Sequence, residues 1–270
     1  MPPQLAQALR LQQAGDLAGA EGLYRQVLLQ RPGLPDALHL LGLVQHQKGD
    51  SAAAVPLIEE ALAGKPDAVV YRRNLASILA GLGRLEDSAA AYEALLERAP
   101  EDAEAQAALA GVRRSQGQFA AAAEHYRTAL RLDPARAPWH SGLGDVLQQQ
   151  GALAEAAAAY RAALHRDPGF GIAESGLGNV LREQGELEAA LEHCQRAVEL
   201  APDYALARSD LGACLQELGR HDEALVAYRA AVALDPRLLK PIMIKMAKPS
   251  RGRLWLRPSR IRALLSPVAE

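Results

Sequence analysis

The chain has 270 residues, 49% hydrophobic and only 4% aromatic, with a formal net charge of −2. Alanine supplies 55 of them, and alanine and leucine favour helix where sheets draw on Val, Ile, Thr and aromatics, so an all-β fold is excluded. Two cysteines exclude a disulfide framework, and no stretch approaches the roughly 18 apolar residues of a membrane span, so the composition predicts a helical protein of a reducing, cytoplasmic compartment.

Four registers run through residues 1–238 with a period of 34. Prolines stand at 32, 66, 100, 134, 168, 202 and 236, and glycines at 15, 49, 83, 117, 151, 185 and 219. Small residues recur as Ala20, Ala54, Ser88, Ala122, Ala156, Ala190 and Ala224. A mostly aromatic series reads Tyr24, Ile58, Tyr92, Tyr126, Tyr160, Cys194 and Tyr228.

Taken in order, each period predicts two helices. From a Pro to the next Gly, apolar residues recur at helical spacing, as in Leu177, Val180 and Leu181, and make one amphipathic helix. The Gly follows its last turn, where a left-handed cap needs a residue without Cβ. Residues such as Glu188–Val198 make the second helix, with Glu192 and Arg196 spaced to pair along it. The next Pro cannot continue that helix. Asp67 and Asp203, just past their prolines, suit the positive end of the following first helix. Gly42, Ala76, Ala110, Gly144, Gly178 and Gly212 oppose the small series and allow close helix approach, and the tyrosines fill the space beside them.

Local departures carry their own expectations. Gln7 replaces the usual Leu of the first helix, as befits a terminal unit with one face in water. Pro56, inside a second helix, predicts a bend rather than a break. Cys194 takes a tyrosine position and Cys214 lies in the next first helix, so both are expected buried and near one another, either as two small apolar side chains or as a redox pair. After Pro236, the stripe Leu238, Leu239, Ile242 and Met246 predicts a capping helix that Pro241 bends or delays. Charge then divides the chain: residues 1–238 hold 22 basic against 31 acidic groups, whereas 239–270 hold 8 basic groups and Glu270. The organisation predicted is therefore seven repeats over 1–238 and a capping segment with a basic tail over 239–270.

These registers, with the Leu-Gly or Leu-Ala steps at 41–42, 75–76, 143–144, 177–178 and 211–212, resemble the tetratricopeptide repeat family. Pentatricopeptide repeats, which read RNA, run one residue longer. The resemblance implies an all-α, right-handed superhelical solenoid whose first helices line a concave groove, and a protein-protein interaction scaffold. The opening stretch is also similar to arrays that precede bacterial sulfotransferase or O-GlcNAc-transferase-like glycosyltransferase domains. The 34 residues after Pro236 are too few for either catalytic domain, so the chain is expected to be either a stand-alone adaptor or the repeat portion of something larger, and the alternative reading is an accessory repeat domain of a larger or partner transferase. Few Lys beside many Ala and Arg suit a GC-rich bacterial genome.

Enzymatic motifs are absent: no phosphate-binding Gly loop, dinucleotide fingerprint, nucleophile elbow, H-E-x-x-H or C-x-x-C occurs. The reading is a non-enzyme with no cofactor and no metal site. His39 and His46 share a helix face, but nothing nearby completes a ligand set. With the family geometry, groove positions fall on His39, His46, Arg73, Ser77, Arg114, Asp145, Ser175, Asn179 and Arg182. This mixed polar lining suits a protein or extended peptide partner: Arg73 and Arg114 for carboxylates, Asn179 for a backbone amide. Neither the family's carboxylate clamp (Arg73, Ser77 and Ala108 stand at its positions) nor the asparagine ladder of the O-linked N-acetylglucosamine transferases (Asn74 alone) is present. In the tail, Leu254, Trp255 and Leu256 flanked by arginines predict docking on the last repeat, a partner motif or an anionic surface. Nucleic acid ranks last, because the repeat tyrosines belong to the core and cannot stack bases.

Overall fold

A computed structural model describes residues 3–247 and 265. The described residues form α-helices and one 3-10 turn, with no strand among them. They divide into two compact units, residues 1–133 and 134–270.

The first unit holds four helix pairs: α1 (Pro3–Gln13) with α2 (Leu17–Gln30), α3 (Pro35–Gln47) with α4 (Ser51–Gly64), α5 (Val69–Gly81) with α6 (Leu85–Leu96), and α7 (Ala103–Ser115) with α8 (Phe119–Leu132). The second holds three: α9 (Ala137–Gln149) with α10 (Leu153–Arg166), α11 (Gly171–Gln184) with α12 (Leu187–Leu200), and α13 (Ala205–Glu217) with α14 (His221–Leu234). The turn Pro236–Leu238 and α15 (Leu239–Ala247) follow. Within each unit a second helix packs on its own first helix and on the next one, and successive first helices lie side by side. This is the predicted all-helical repeat architecture.

The glycine register works as the backbone requires. All seven glycines have positive φ, Gly117 at 74° and Gly185 at 86°. At Gly117 the turn closes with Gly117 N–H on the Arg114 carbonyl and Gln118 N–H on the Arg113 carbonyl, both 2.9 Å, which satisfies two carbonyls left over at the end of α7. Three second or first helices carry a cap the sequence reading passed over: Asp16, Asp50 and Asp102 each accept a backbone N–H of the helix they precede, at 2.9–3.0 Å. Asp67 stands just before the cap residue of α5 and pairs with Arg98 at 2.9 Å.

Packing follows the small and aromatic registers. All seven residues of the small series are fully buried. Opposite them, a Cβ on Gly42 would lie 2.7 Å from Ile58, on Gly144 2.9 Å from Tyr160 and on Gly212 2.7 Å from Tyr228. The helix crossing thus closes onto the large side chain beside it. Tyr24, Tyr160 and Tyr228 are no more than 1% exposed, and each reaches a Gln twelve residues back (Gln12, Gln148, Gln216) with its hydroxyl.

The helix α4 runs through the exposed Pro56 without a break, at the 14-residue length of α2 and α8, as expected. One detail differs from expectation. Arg196 turns to buried Glu174 on α11, 3.4 Å away, rather than to Glu192, and His193 bonds the same carboxylate at 2.6 Å.

Beyond Pro236, Pro241 falls in the first turn of α15, where its missing N–H costs no helical bond. Ile242 and Met246 are fully buried against Leu215, Tyr228 and Val232. Helical Leu265 joins that cluster at 2% exposure, 34 residues after Ala231 and thus in register with Val27, Ala61, Leu95 and the rest of that buried column. The α15 helix therefore stands where the first helix of an eighth repeat would. Leu254–Leu256 and most of the basic tail lie outside the described residues.

Candidate partner-binding surface

Side-by-side first helices give each unit one polar face. A regular set of ties crosses it, joining a residue to the one 35 positions later. In the first unit Gln12 donates to Gln47 at 2.9 Å, Asn74 donates to His39 at 2.9 Å and the Tyr71 hydroxyl donates to Asp36. In the second, Gln148 donates to Glu183 at 2.7 Å, Ser175 to Asp210 at 2.9 Å, Arg182 to Glu217 at 2.6 Å and Lys245 to Asp210 at 3.3 Å. One residue beyond the 34-residue register turns a side chain by about 100° on its helix, back toward the preceding helix. That rotation makes the ties periodic.

The predicted site residues fall on this face in different circumstances. On α5, Arg73 is ion-paired with Asp102, whose other oxygen caps α7, and Ser77 one turn on is exposed. Arg114 is exposed in the last turn of α7. In the second unit Asp145 on α9 accepts the Tyr160 hydroxyl at 2.7 Å. On α11, Ser175 is 3% exposed and given over to Asp210, while Asn179 accepts from Arg182 at 3.4 Å. Burial alone would pull the Arg182 guanidinium down, but its bond to Glu217 keeps it above the ordinary arginine value. Its Nε is buried without a partner.

His39 is not a groove ligand. It is 5% exposed and stacked on Tyr71, ring centroids 4.0 Å apart and planes at 16°. Burial lowers its pKa to about 4, against a smaller opposing pull from Asp36, so the ring is neutral near pH 7 and accepts the Asn74 amide through Nε2. His46 Nδ1 meets Ser51 Oγ at 2.9 Å. Among the described residues no group of three or more His, Cys, Asp or Glu could hold a metal ion, and no helix is long and apolar enough to cross a membrane.

Sequence reading missed Asp210, Glu217, Glu183 and Tyr204 as members of this face. Tyr204, at the start of α13, has its phenol pushed up by burial and then by the Asp210 and Asp145 carboxylates. For the three acids the signal was the spacing of 35, visible only to a search one residue off the main period. Ser141, Ser175 and Ser209 recur 34 residues apart and are all at most 3% exposed, and a Cβ on Gly176 would run into the Tyr160 ring, so these small residues belong to the packed interior under the polar face.

Models of the tetratricopeptide repeat match residues 5–69, 73–137, 108–171 and 170–237. No curated protein matches the chain. Among solved structures it is similar to a tetratricopeptide repeat protein from Parabacteroides merdae, with 17% identity, TM-score 0.73, and 90% of this chain and 96% of that one covered. It is also similar to PilF of Pseudomonas aeruginosa, with 17% identity, TM-score 0.64, and 76% and 93% covered. A third is YrrB, described as a repeat protein with an unusual peptide-binding site, with 22% identity, TM-score 0.53, and 66% and 92% covered. With the family models spanning nearly all of residues 5–237, the chain belongs to the tetratricopeptide repeat family.

Proposed function

We propose that the chain is a non-catalytic scaffold that holds extended segments of a partner protein against the first-helix face of each unit. The contacts are Arg73, Ser77 and Arg114 in the first unit, and Asp145, Asn179 and Arg182 in the second, with Arg73 and Arg182 exchanging Asp102 and Glu217 for carboxylates of the partner; Ser175, buried and bonded to Asp210, is not among them. The observation that carries the reading is the partly exposed polar set Asp145, Asn179 and Arg182 on the side-by-side first helices of the second unit. These side chains supply donors and acceptors for a partner backbone. The peptide-binding site ascribed to YrrB, a relative in fold, supports the same assignment. The likeness of the opening repeats to arrays that precede transferase domains makes a transferase one partner to look for.

The test is recovery of a partner with the intact chain, followed by titration of that partner with the Arg114→Ala/Arg182→Ala variant. Affinity falls at least about tenfold, roughly 1.4 kcal/mol, with helical content unchanged, and the loss shrinks as salt rises. Glu217→Gln, which frees Arg182 without removing it, binds no more weakly than the parent. Unchanged affinity in the double variant removes the site from the first-helix faces.

A further inference from the structure

The chain has only two cysteines, and both break a register. Cys194 replaces the tyrosine found at Tyr24, Tyr92, Tyr126, Tyr160 and Tyr228. Cys214 replaces an aliphatic, β-branched residue found at Val44, Ile78, Val112, Val146 and Val180. The two substitutions fall at facing positions: Cys194 on α12 and Cys214 on α13 have their sulfurs 3.4 Å apart, and both side chains are fully buried. Two small apolar residues would fill this space equally well. Filling space therefore does not account for the same sulfur chemistry arriving at both ends of one contact. We infer that Cys194 and Cys214 are a redox latch, which a small-molecule oxidant of the diazene, disulfide or peroxide class closes into a disulfide between the sixth and seventh repeats.

Geometry favours this product over others. The sulfurs need to approach by about 1.4 Å to reach bonding distance. Cys194 is held from behind, since a Cβ on Gly178 would lie 2.6 Å from its Sγ. Neither thiol reaches the surface, so an adduct with a bulky reagent has no room to persist, and the neighbouring sulfur is the nearest nucleophile to displace it. The hydrogen bond with Cys214, and then burial, hold the Cys194 thiol well above the ordinary cysteine range. Reaction therefore passes through a brief local opening of the α12–α13 joint. With a diazene the balance is complete: one thiol adds across the N=N bond, the second attacks the sulfur of that adduct, one S–S bond forms, and both thiol protons leave on the hydrazine.

Closing the latch ties α12 to α13, the helix that carries Asp210 and Glu217, the partners of Ser175 and Arg182. Its expected effect is to suppress opening of that joint.

The experiment treats the reduced, folded, full-length chain with diamide, then digests it without reductant. The latch gives one peptide pair joined through Cys194 and Cys214 with loss of two hydrogens, a melting midpoint raised by roughly 3 °C or more, slower amide exchange in α12 and α13, and complete reversal by dithiothreitol. Cys214→Val restores the aliphatic residue of its register, so it keeps the fold, and diamide leaves its midpoint unchanged. Cys194→Ser serves the same purpose from the other side. The inference is overturned if both thiols of the folded parent stay free, if the products are dimers or reagent adducts, or if the cross-link forms only in denaturant.

Discussion

At the scale of single residues, backbone conformation and protonation set the sharpest constraints. Gly117 has φ of 74° and nothing within 4 Å of the position a Cβ would take, so a substitution there is strained by conformation and not by crowding. Gly117→Ala should cost about 1 kcal/mol, and Gly117→Val more, because a β-branched side chain tolerates that region worst. Chemical denaturation of the two variants checks the order, and equal small losses would contradict the left-handed cap. His39 gives a pH effect of known sign. Its pKa of about 4 in the folded chain lies below the ordinary 6.5, so between those values the unfolded chain binds a proton that the folded chain does not. Stability from this residue is complete above pH 6.5 and is lost as pH falls toward 4. Discounted for screening by solvent, the loss is about 1–2 kcal/mol. Comparing parent and His39→Phe at pH 7 and pH 4.5 isolates it: the parent should lose more stability on acidification than the variant. Glu21, held near 2 by Lys48 and Arg25, titrates alike in both.

At the scale of helices, the crossing inside each pair is the unit of stability. Ala156 on α10 is fully buried in the cluster that includes Tyr160, Leu177 and Leu181. Ala156→Leu forces extra methylenes into that crossing and should destabilise by about 1–3 kcal/mol, read as a lower melting midpoint. The Gly-to-Tyr contacts and the Pro and Gly registers were legible in sequence because all act within one 34-residue unit. The ties at 35 were not, since they join neighbouring repeats. Arg73 shows the consequence: read as a free cation for a partner carboxylate, it is ion-paired with the acid that caps the next first helix.

At the scale of the whole chain, a repeat array couples each element mainly to its neighbours. Met246, fully buried on α15, caps the α13–α14 pair through Tyr228 and Val232. Met246→Ala should cost about 2–3 kcal/mol locally, with faster hydrogen exchange in α13 and α14 and none in α1–α4. Uniform acceleration along the chain would mean that the repeats open together. The same local coupling confines the proposed latch to the joint it spans.

The period of 34 determined by itself the helix count in each repeat, their ends, the buried columns and the family. Each of these follows from how one short stretch satisfies its own backbone and hides its own apolar stripe. Which polar side chains remain available to a partner was decided only by the tertiary structure. Ser175, Arg182 and His39 resemble exposed groove residues in a single repeat, yet the neighbouring first helix takes Ser175 and Arg182 as tie partners and buries His39 against Tyr71. A hydrogen bond between repeats depends on the rotation of two helices and the reach of two side chains together, and no one repeat contains both.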